Sequence, residues 1–128
     1  MAERIVVNAK CQRPGVCNAT ESLLVHADVA PEFVPRIAAE LQARGVALRG
    51  CPATCALAPA ATPATDADFA AEFLDLILSI KVVNSLDEAI AHIERFGSRH
   101  TDAIVTGDAE AARRFCAEVD SAAVVVNA

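Results

Sequence analysis

Short apolar runs alternate along the chain with longer stretches in which apolar residues recur every three or four positions. The short runs end at polar or turn-forming residues, which is typical of buried strands. These predicted strands are Ile5–Asn8, Leu23–His26, Val46–Arg49, Ala103–Thr106 and Ala122–Val126. The most apolar stretch, Glu72–Val83, ends in β-branched residues before Asn84 and Ser85. It therefore predicts an extended strand too.

The helical period appears first between Pro31 and Arg44. Pro31 suits the first turn of a helix, although Pro35 suggests that the regular part begins a few residues later. Gly45 follows, where a helix is expected to stop. One face of this helix is predicted to be apolar, and it consists of Phe33, Val34, Ile37, Ala38 and Leu41.

Two further helices have clear start signals. Ser85–Glu88 reads SLDE, a capping box in which the serine oxygen accepts one free N–H and the glutamate reaches back to another. Asp108 is expected to cap a helix over Ala109–Glu118. Gly97 is expected to end the first of these helices, and its buried stripe is predicted to be Leu86, Ala89, Ile90, Ile93 and Phe96.

Cys51–Asp68 has three prolines, many small residues and little periodicity, so it is predicted to be a long loop, either a surface insertion or a flap over a site. Elsewhere, strands alternate with helices that are long enough for crossover connections, which indicates a largely parallel sheet. The fold class is therefore α/β, in three layers, with the sheet flanked by helices.

Composition and charge narrow the possibilities. The 128 residues are 54% hydrophobic, which favours one domain over 1–128 with a real core. The net charge of −6 comes without a basic patch, so no nucleic-acid partner is expected. No stretch reaches the roughly 18 apolar residues of a membrane helix. The five cysteines argue against a closed disulfide framework and favour free thiols in a reducing cytoplasm.

Cys17 has a setting that differs from those of the other cysteines. It follows the Pro14-Gly15 turn, and the residues after it suit a helix start. A thiol at a helix amino terminus faces free N–H groups and the positive end of the helix dipole, which favours the reactive thiolate. These N–H groups could also stabilise an oxyanion. Cys11 and Cys116 are expected to be buried and inert.

Three segments resemble glutamate-5-semialdehyde dehydrogenase, or γ-glutamyl phosphate reductase, of the aldehyde dehydrogenase superfamily. They are NAKCQRPGVCNATESLLVH, EFLDLILSIKVVNSLDEAIAHIERFGSRHTDAIVT and EVDSAAVVVNA. The resemblance implies an aldehyde-dehydrogenase-like catalytic domain. It also implies that Cys17 attacks the acyl phosphate of γ-glutamyl phosphate in proline biosynthesis, and that NADPH reduces the resulting thioester. Glu72 falls where the superfamily binds the nicotinamide ribose hydroxyls; a surface glutamate at a strand entry is the other interpretation.

Enzymes of this family are longer than the chain, so a dinucleotide-binding domain is expected to be missing from it. No glycine-rich dinucleotide loop occurs in the sequence. We therefore expect the chain alone to be nearly inactive with NADPH. Because the facing domain would normally cover apolar surface, we also expect the isolated chain to self-associate into a homo-oligomer.

Alternatives remain open from the sequence. The chain could be a non-catalytic binding or assembly module of the same fold, or a superfamily member acting on another acyl substrate. Cys51 and Cys55 could supply half of a zinc site, but no second ligand pair is evident, so no metal is expected. His100 and Asn127 lie in the resembling segments without an assignable role.

Overall fold

The amino-terminal segment is a helix. In the computed structural model, which describes residues 1–11, 20–71, 73 and 75–128, helix α1 spans Ala2–Cys11. The strand predicted at Ile5–Asn8 is therefore wrong. Val6 and Lys10 lie one turn apart on the buried face of α1, whereas Asn8 is exposed. Burial of one helical face outweighs the strand preference of this β-branched run, because β-propensity depends strongly on context.

Four strands of the described chain form a parallel sheet. They are β1 (Ser22–His26), β2 (Ala47–Gly50), β3 (Thr62–Pro63) and β4 (Ile77–Val83). Their spatial order is β1-β4-β2-β3, which places β4 between β1 and β2. Ser79 of β4 accordingly pairs with Ser22 on one side and Arg49 on the other. The extended stretch predicted from Glu72 is a strand only from Ile77 onward.

The predicted long helix is α2, which spans Ala30–Ala43. Pro35 lies inside this helix, so the expected later start is wrong. Proline has no N–H to donate to the carbonyl one turn earlier, but Pro35 is on the exposed side of the helix, where water can bond that carbonyl instead. Gly45 ends the helix with φ of +82°, and the Val46 N–H donates to the Leu41 carbonyl at 3.0 Å. This is a Schellman-type end.

The expected loop Cys51–Asp68 has regular structure of its own. It contains α3 (Pro52–Leu57), strand β3 and the start of α4 (Asp66–Ala70). The loop prediction is wrong because small residues in this segment pack closely: Thr54 is fully buried, and its hydroxyl donates to the Ile80 carbonyl at 3.1 Å. The segment therefore continues the sheet and does not form a flap.

The two carboxyl-terminal helices form as predicted. They are α5 (Leu86–Phe96) and α6 (Ala109–Glu118). The Ser85 hydroxyl accepts the Glu88 N–H at 3.1 Å, and the Glu88 carboxylate accepts the Asn84 N–H at 2.9 Å. Asp108 caps α6 by accepting the N–H groups of Glu110 and Ala111. Within the described residues, β5 (Thr101–Ile104) and β6 (Ala123–Val126) form a separate parallel pair.

The layers follow from the two faces of β4. Leu78 and Ile80 face α2 and share a core with it. Ser79 points to the opposite face, where its hydroxyl donates to the Asp68 carbonyl of α4 at 3.3 Å. The predicted α/β arrangement of a parallel sheet between helices is thus confirmed. None of the helices in the described part of the chain is long and apolar enough to cross a bilayer.

Candidate functional site

The two residues expected to carry the chemistry, Cys17 and Glu72, lie outside the described residues. The structure describes the chain on both sides of each of them. Cys11 and Thr20 border the cysteine segment, 12–19, and Phe73 follows Glu72 directly in the sequence. The geometry of these bordering residues establishes how the two segments are attached to the fold.

The described residues that flank the cysteine segment are joined by a backbone hydrogen bond. The Thr20 N–H donates to the Ala9 carbonyl of α1 at 3.1 Å. The next residue, Glu21, continues directly into the sheet, because its carbonyl accepts the Ser79 N–H at 3.1 Å. The described chain therefore resumes at Thr20 beside α1 before it enters β1.

A buried ion pair lies at this place. The Lys10 side chain is fully buried, and its Nζ lies 3.4 Å from Oε2 of Glu21, whose side chain is 17% exposed. Burial lowers the pKa of Lys10 below the usual lysine value, and attraction to Glu21 opposes this change. An ammonium group that is closed off from water needs such a partner, since an unpaired buried charge is very costly.

The same carboxylate also reaches the second segment. Oε2 of Glu21 accepts the N–H of Phe73 at 3.1 Å. This N–H belongs to the peptide group that links Glu72 to Phe73. Oε2 of Glu21 therefore contacts both Lys10, which lies two residues before the cysteine segment, and the N–H of Phe73, the residue after Glu72. Glu21 itself lies two residues after the cysteine segment.

Lys10 and Glu21 were not among the residues singled out from the sequence. A lysine near the end of a segment that was predicted as a strand looks like an ordinary solvent-exposed residue. The available signal was the helical spacing of Val6 and Lys10, which places both on the buried face of α1 once that segment is recognised as a helix.

One described cysteine, Cys51, has a perturbed environment, and it lies directly after the inner strand β2. Sγ of Cys51 lies 3.3 Å from the Thr54 hydroxyl and accepts the Val82 N–H at 3.4 Å. Burial opposes ionisation of the Cys51 thiol, but the side-chain contact with Thr54 and the backbone N–H groups of Val82, Thr54 and Ala53 together outweigh burial, so the pKa lies below its ordinary value. Cys51 follows the carboxyl end of β2, whereas Glu21 precedes the amino end of β1, so the two residues lie toward opposite ends of the parallel strands.

The other described thiols do not form a metal site. Sγ of Cys55 lies 3.4 Å from the Gly50 carbonyl and 3.7 Å from the Ala61 carbonyl. Across residues 1–11, 20–71, 73 and 75–128, no group of three or more His, Cys, Asp and Glu side chains is arranged to hold a metal ion. The expectation that Cys116 is buried is wrong: it lies on the exposed side of α6, while Cys11 is partly buried.

The structure assigns Asn127 a structural contact. Its Oδ1 accepts the Thr106 N–H at 2.9 Å, and its Nδ2 donates to the Thr106 carbonyl at 3.1 Å. The side chain thereby extends the pairing of β5 with β6 by one step. His100 is exposed, and its Nδ1 lies 2.6 Å from the Thr101 hydroxyl. Asn127 also lines a cavity together with Asn8, Ala9 and Cys11 of α1.

Comparison with known proteins gives strong matches along the whole chain, although no protein-family profile matches it. A γ-glutamyl phosphate reductase of Carboxydothermus hydrogenoformans is 60% identical over 128 residues, which is 100% of this chain and 31% of that protein. The same enzyme of Heliobacterium modesticaldum is 58% identical over the same shares of the two chains.

Solved structures agree with this result. The crystal structure of γ-glutamyl phosphate reductase from Thermotoga maritima has a TM-score of 0.97 at 49% identity, covering 99% of this chain and 31% of that chain. The Saccharomyces cerevisiae enzyme has a TM-score of 0.74 at 29% identity, covering 99% of this chain and 32% of that one. The chain thus spans about 31% of the length of the relatives that it matches. The resemblance stated from the sequence is therefore confirmed: over its full length, the chain is a relative of one segment of γ-glutamyl phosphate reductase.

Proposed function

We propose that residues 1–128 are the cysteine-bearing catalytic domain of a γ-glutamyl phosphate reductase, which produces glutamate-5-semialdehyde in proline biosynthesis. The main support is the 60% identity over all 128 residues to a protein of that name. Those relatives are about three times longer, and we assign the dinucleotide-binding domain to the part of them that lies outside the matched segment. The free thiols of an odd cysteine set fit a reducing compartment, so the reaction takes place in the cytoplasm.

Cys17 is the proposed nucleophile. Its thiolate attacks the carbonyl carbon of γ-glutamyl phosphate; a C–S bond forms, the C–O bond to phosphate breaks, and phosphate leaves with the electron pair. A thiolate suits this step because it is strongly nucleophilic near neutral pH and gives a thioester that accepts hydride. When hydride reaches the thioester carbon, the C–S bond breaks, the aldehyde is released and Cys17 becomes a thiolate again.

The residues of this chain fit one part of a nicotinamide cofactor. The Glu72 carboxylate offers two oxygens to the ribose hydroxyls, and the peptide group after it is held by Glu21. The cofactor, NADPH in this proposal, supplies the hydride. Its phosphates need another region, since none of the five glycines has the spacing of a dinucleotide-binding loop.

A trapping experiment with acetyl phosphate, a stable acyl phosphate, tests the nucleophile. We expect the purified chain to gain an acetyl group on the Cys17 peptide, seen by mass spectrometry and removed by hydroxylamine, as a thioester is. Cys17→Ser is expected to abolish this adduct, whereas Cys51→Ser is expected to leave it unchanged. An adduct that survives in Cys17→Ser would refute the assignment, and no adduct on any thiol would favour a non-catalytic assembly module.

Association of the chain is a further part of the proposal. A domain that normally faces another exposes apolar surface when it is alone. We expect sedimentation to show dimers or larger species at high concentration, and a clean monomer would contradict this expectation.

A further inference from the structure

We propose that Lys10 and Glu21 are positioning residues that hold the cysteine segment, 12–19, and the segment around Glu72 in a fixed relation to each other. The inference deepens the proposed function and rests on it, because it assigns to this buried pair the mutual alignment of the nucleophile and the cofactor-binding carboxylate. Neither side chain is proposed to contact the substrate.

The burial of Lys10 establishes that it acts through other residues. Its side chain has no exposed surface, so its ammonium group is out of reach of a substrate in solution. Its neighbour in the sequence, Cys11, is the last described residue before the cysteine segment. Lys10 thus anchors the start of this segment in the core, and its charge fixes where the Glu21 carboxylate lies.

Glu21 completes the connection to the second segment. Its backbone follows Thr20, whose N–H is bonded to Ala9 of α1, and its carbonyl accepts the Ser79 N–H of β4. Its side chain accepts the Phe73 N–H at 3.1 Å. A hydrogen bond from a backbone N–H to a charged, mostly buried oxygen is among the stronger ones in proteins, since little water competes for it.

The same contacts lie next to Glu72 in the sequence. The N–H that the Glu21 carboxylate accepts belongs to Phe73, the residue that follows Glu72. Glu21 is four residues after Cys17 in the sequence. The buried cluster of Lys10, Glu21 and the Phe73 N–H therefore joins the described residues on both sides of the cysteine segment to the residue after Glu72.

Two double variants of the 128-residue chain separate positioning from stability. Lys10→Met with Glu21→Leu removes both charges and the acceptor for the Phe73 N–H. Lys10→Met with Glu21→Gln also removes both charges but keeps an oxygen that can accept this N–H. Replacing a whole buried ion pair by uncharged groups of similar size is often neutral for stability, so both variants are expected to fold.

Two quantities are measured on each variant. The first is the rate of Cys17 alkylation by iodoacetamide divided by that of the exposed Cys116, mapped by mass spectrometry. The second is hydrogen exchange of the Phe73 amide. In the leucine variant we expect Phe73 protection to fall about tenfold and the Cys17 to Cys116 ratio to fall at least about threefold. In the glutamine variant, we expect most of the Phe73 protection and most of the Cys17 to Cys116 ratio to be recovered.

The control for a merely structural effect is Ile37→Val, a fully buried apolar position on α2 that carries no charge and no side-chain hydrogen bond. It is expected to lower stability and to leave the Cys17 to Cys116 ratio unchanged. Equal ratios in the leucine variant and the wild type, or equal losses in the leucine and glutamine variants, would overturn the positioning role. If wild-type Cys17 reacts no faster than Cys116, the proposed nucleophile is wrong instead, so the two failures are distinguishable.

Discussion

The two parts of the molecule are stabilised in different ways. The large-sheet region, described residues 1–83, has a continuous apolar core in which Val34, Ile37, Leu41, Leu78 and Ile80 are fully buried. The small-sheet region, residues 84–128, has a core of only Ile90, Phe115 and Val119 among the described residues. Its two strands lie mostly at intermediate exposure or in solvent.

Polar contacts take the place of apolar burial in the small-sheet region. Asn127 ties β6 to Thr106, Ser121 bonds the Asp102 carboxylate, and Arg99 pairs with Asp120 at 2.6 Å. Such contacts are directional, but each adds little to stability when exposed to water. A two-stranded sheet with a small core is marginal by itself, so the region depends on what packs against it. The large-sheet region, by contrast, holds the described residues that flank Cys17 and Glu72 on a continuous apolar core.

The largest difference is expected from truncating one apolar residue in each region. Ile80→Ala, at a fully buried position, should lower the unfolding free energy by about 2–5 kcal/mol, because it removes buried methylenes and leaves a cavity. Val126→Ala, at a position that is 37% exposed, should change it by no more than about 0.5 kcal/mol. Urea unfolding measures the unfolding free energy of each variant. Equal losses in the two variants would contradict the proposed difference in stabilisation between the regions.

A smaller and local effect is expected from Asn127. Asn127→Ala loses both contacts with the Thr106 backbone and places alanine at a φ of 55°, which alanine tolerates less well than asparagine. We expect a loss of about 1–2 kcal/mol, with faster amide exchange in β5 and β6 and unchanged exchange in β1 and β4. Asn127→Gly is the control, since it loses the same contacts without the backbone strain and should be less destabilised.

His92 lies where the two regions meet. Its ring is 5.0 Å from the ring of Phe69 on α4 and 4.8 Å from that of Phe96 on α5, centroid to centroid. Its Nε2 is buried and has no hydrogen-bond partner among the described residues. An uncharged imidazole satisfies this environment, whereas an imidazolium would be a buried charge without a partner.

The contact between the regions should therefore weaken in acid. Burial, then the positive charges of Lys81 and Arg95, lowers the pKa of His92 below 6.5, while Asp66 and Glu88 oppose this change. The unfolded chain takes up a proton near the ordinary value and the folded chain does not, so stability falls as the pH drops below about 6.5 toward the lowered value. Above that range the contribution is constant.

Unfolding free energies measured between about pH 8 and about pH 5.5 test this expectation. The decrease should vanish in His92→Phe, which keeps an aromatic ring beside Phe69 and Phe96 but cannot titrate. His100→Phe, at an exposed position, is the matched control and should keep the decrease. A His92→Phe variant with the same acid sensitivity as the wild type would assign the effect to other groups.

Sequence reasoning succeeded where the signals are local. Helix α6 begins and ends where Asp108 and the apolar period place it, and the Gly45 and Gly97 stops are correct. It failed at Ile5–Asn8, whose β-branched composition favours a strand, because this segment buries one face of a helix against residues that are distant in the sequence. Pairing between distant residues overrides local preference and leaves no local pattern.

The candidate site, too, was predicted from the sequence only in part. The resemblance supplied Cys17 and Glu72, since those residues stand in specific sequence surroundings. Composition and spacing could not supply Lys10, Glu21 or the Phe73 N–H, because a charged residue looks the same in sequence whether it is solvated or buried. His92 was missed for a related reason: its burial depends on Phe69, which lies in the segment that was predicted to be a loop.

The smallest effect is expected at Arg99, which combines an exposed ion pair with an unfavourable backbone. Its φ is 65°, and its side chain pairs with Asp120 while remaining 57% exposed. Arg99→Ala loses the pair and keeps the strained φ, so a loss of less than about 1 kcal/mol is expected. Arg99→Gly loses the same pair but adopts this φ freely, which offsets the loss, so its stability should match or exceed that of the wild type. Thermal unfolding at low and high salt separates the two terms, because salt screens the ion pair and leaves the backbone term unchanged. If the alanine and glycine variants are equally stable, backbone strain at position 99 contributes nothing to the stability of the small-sheet region.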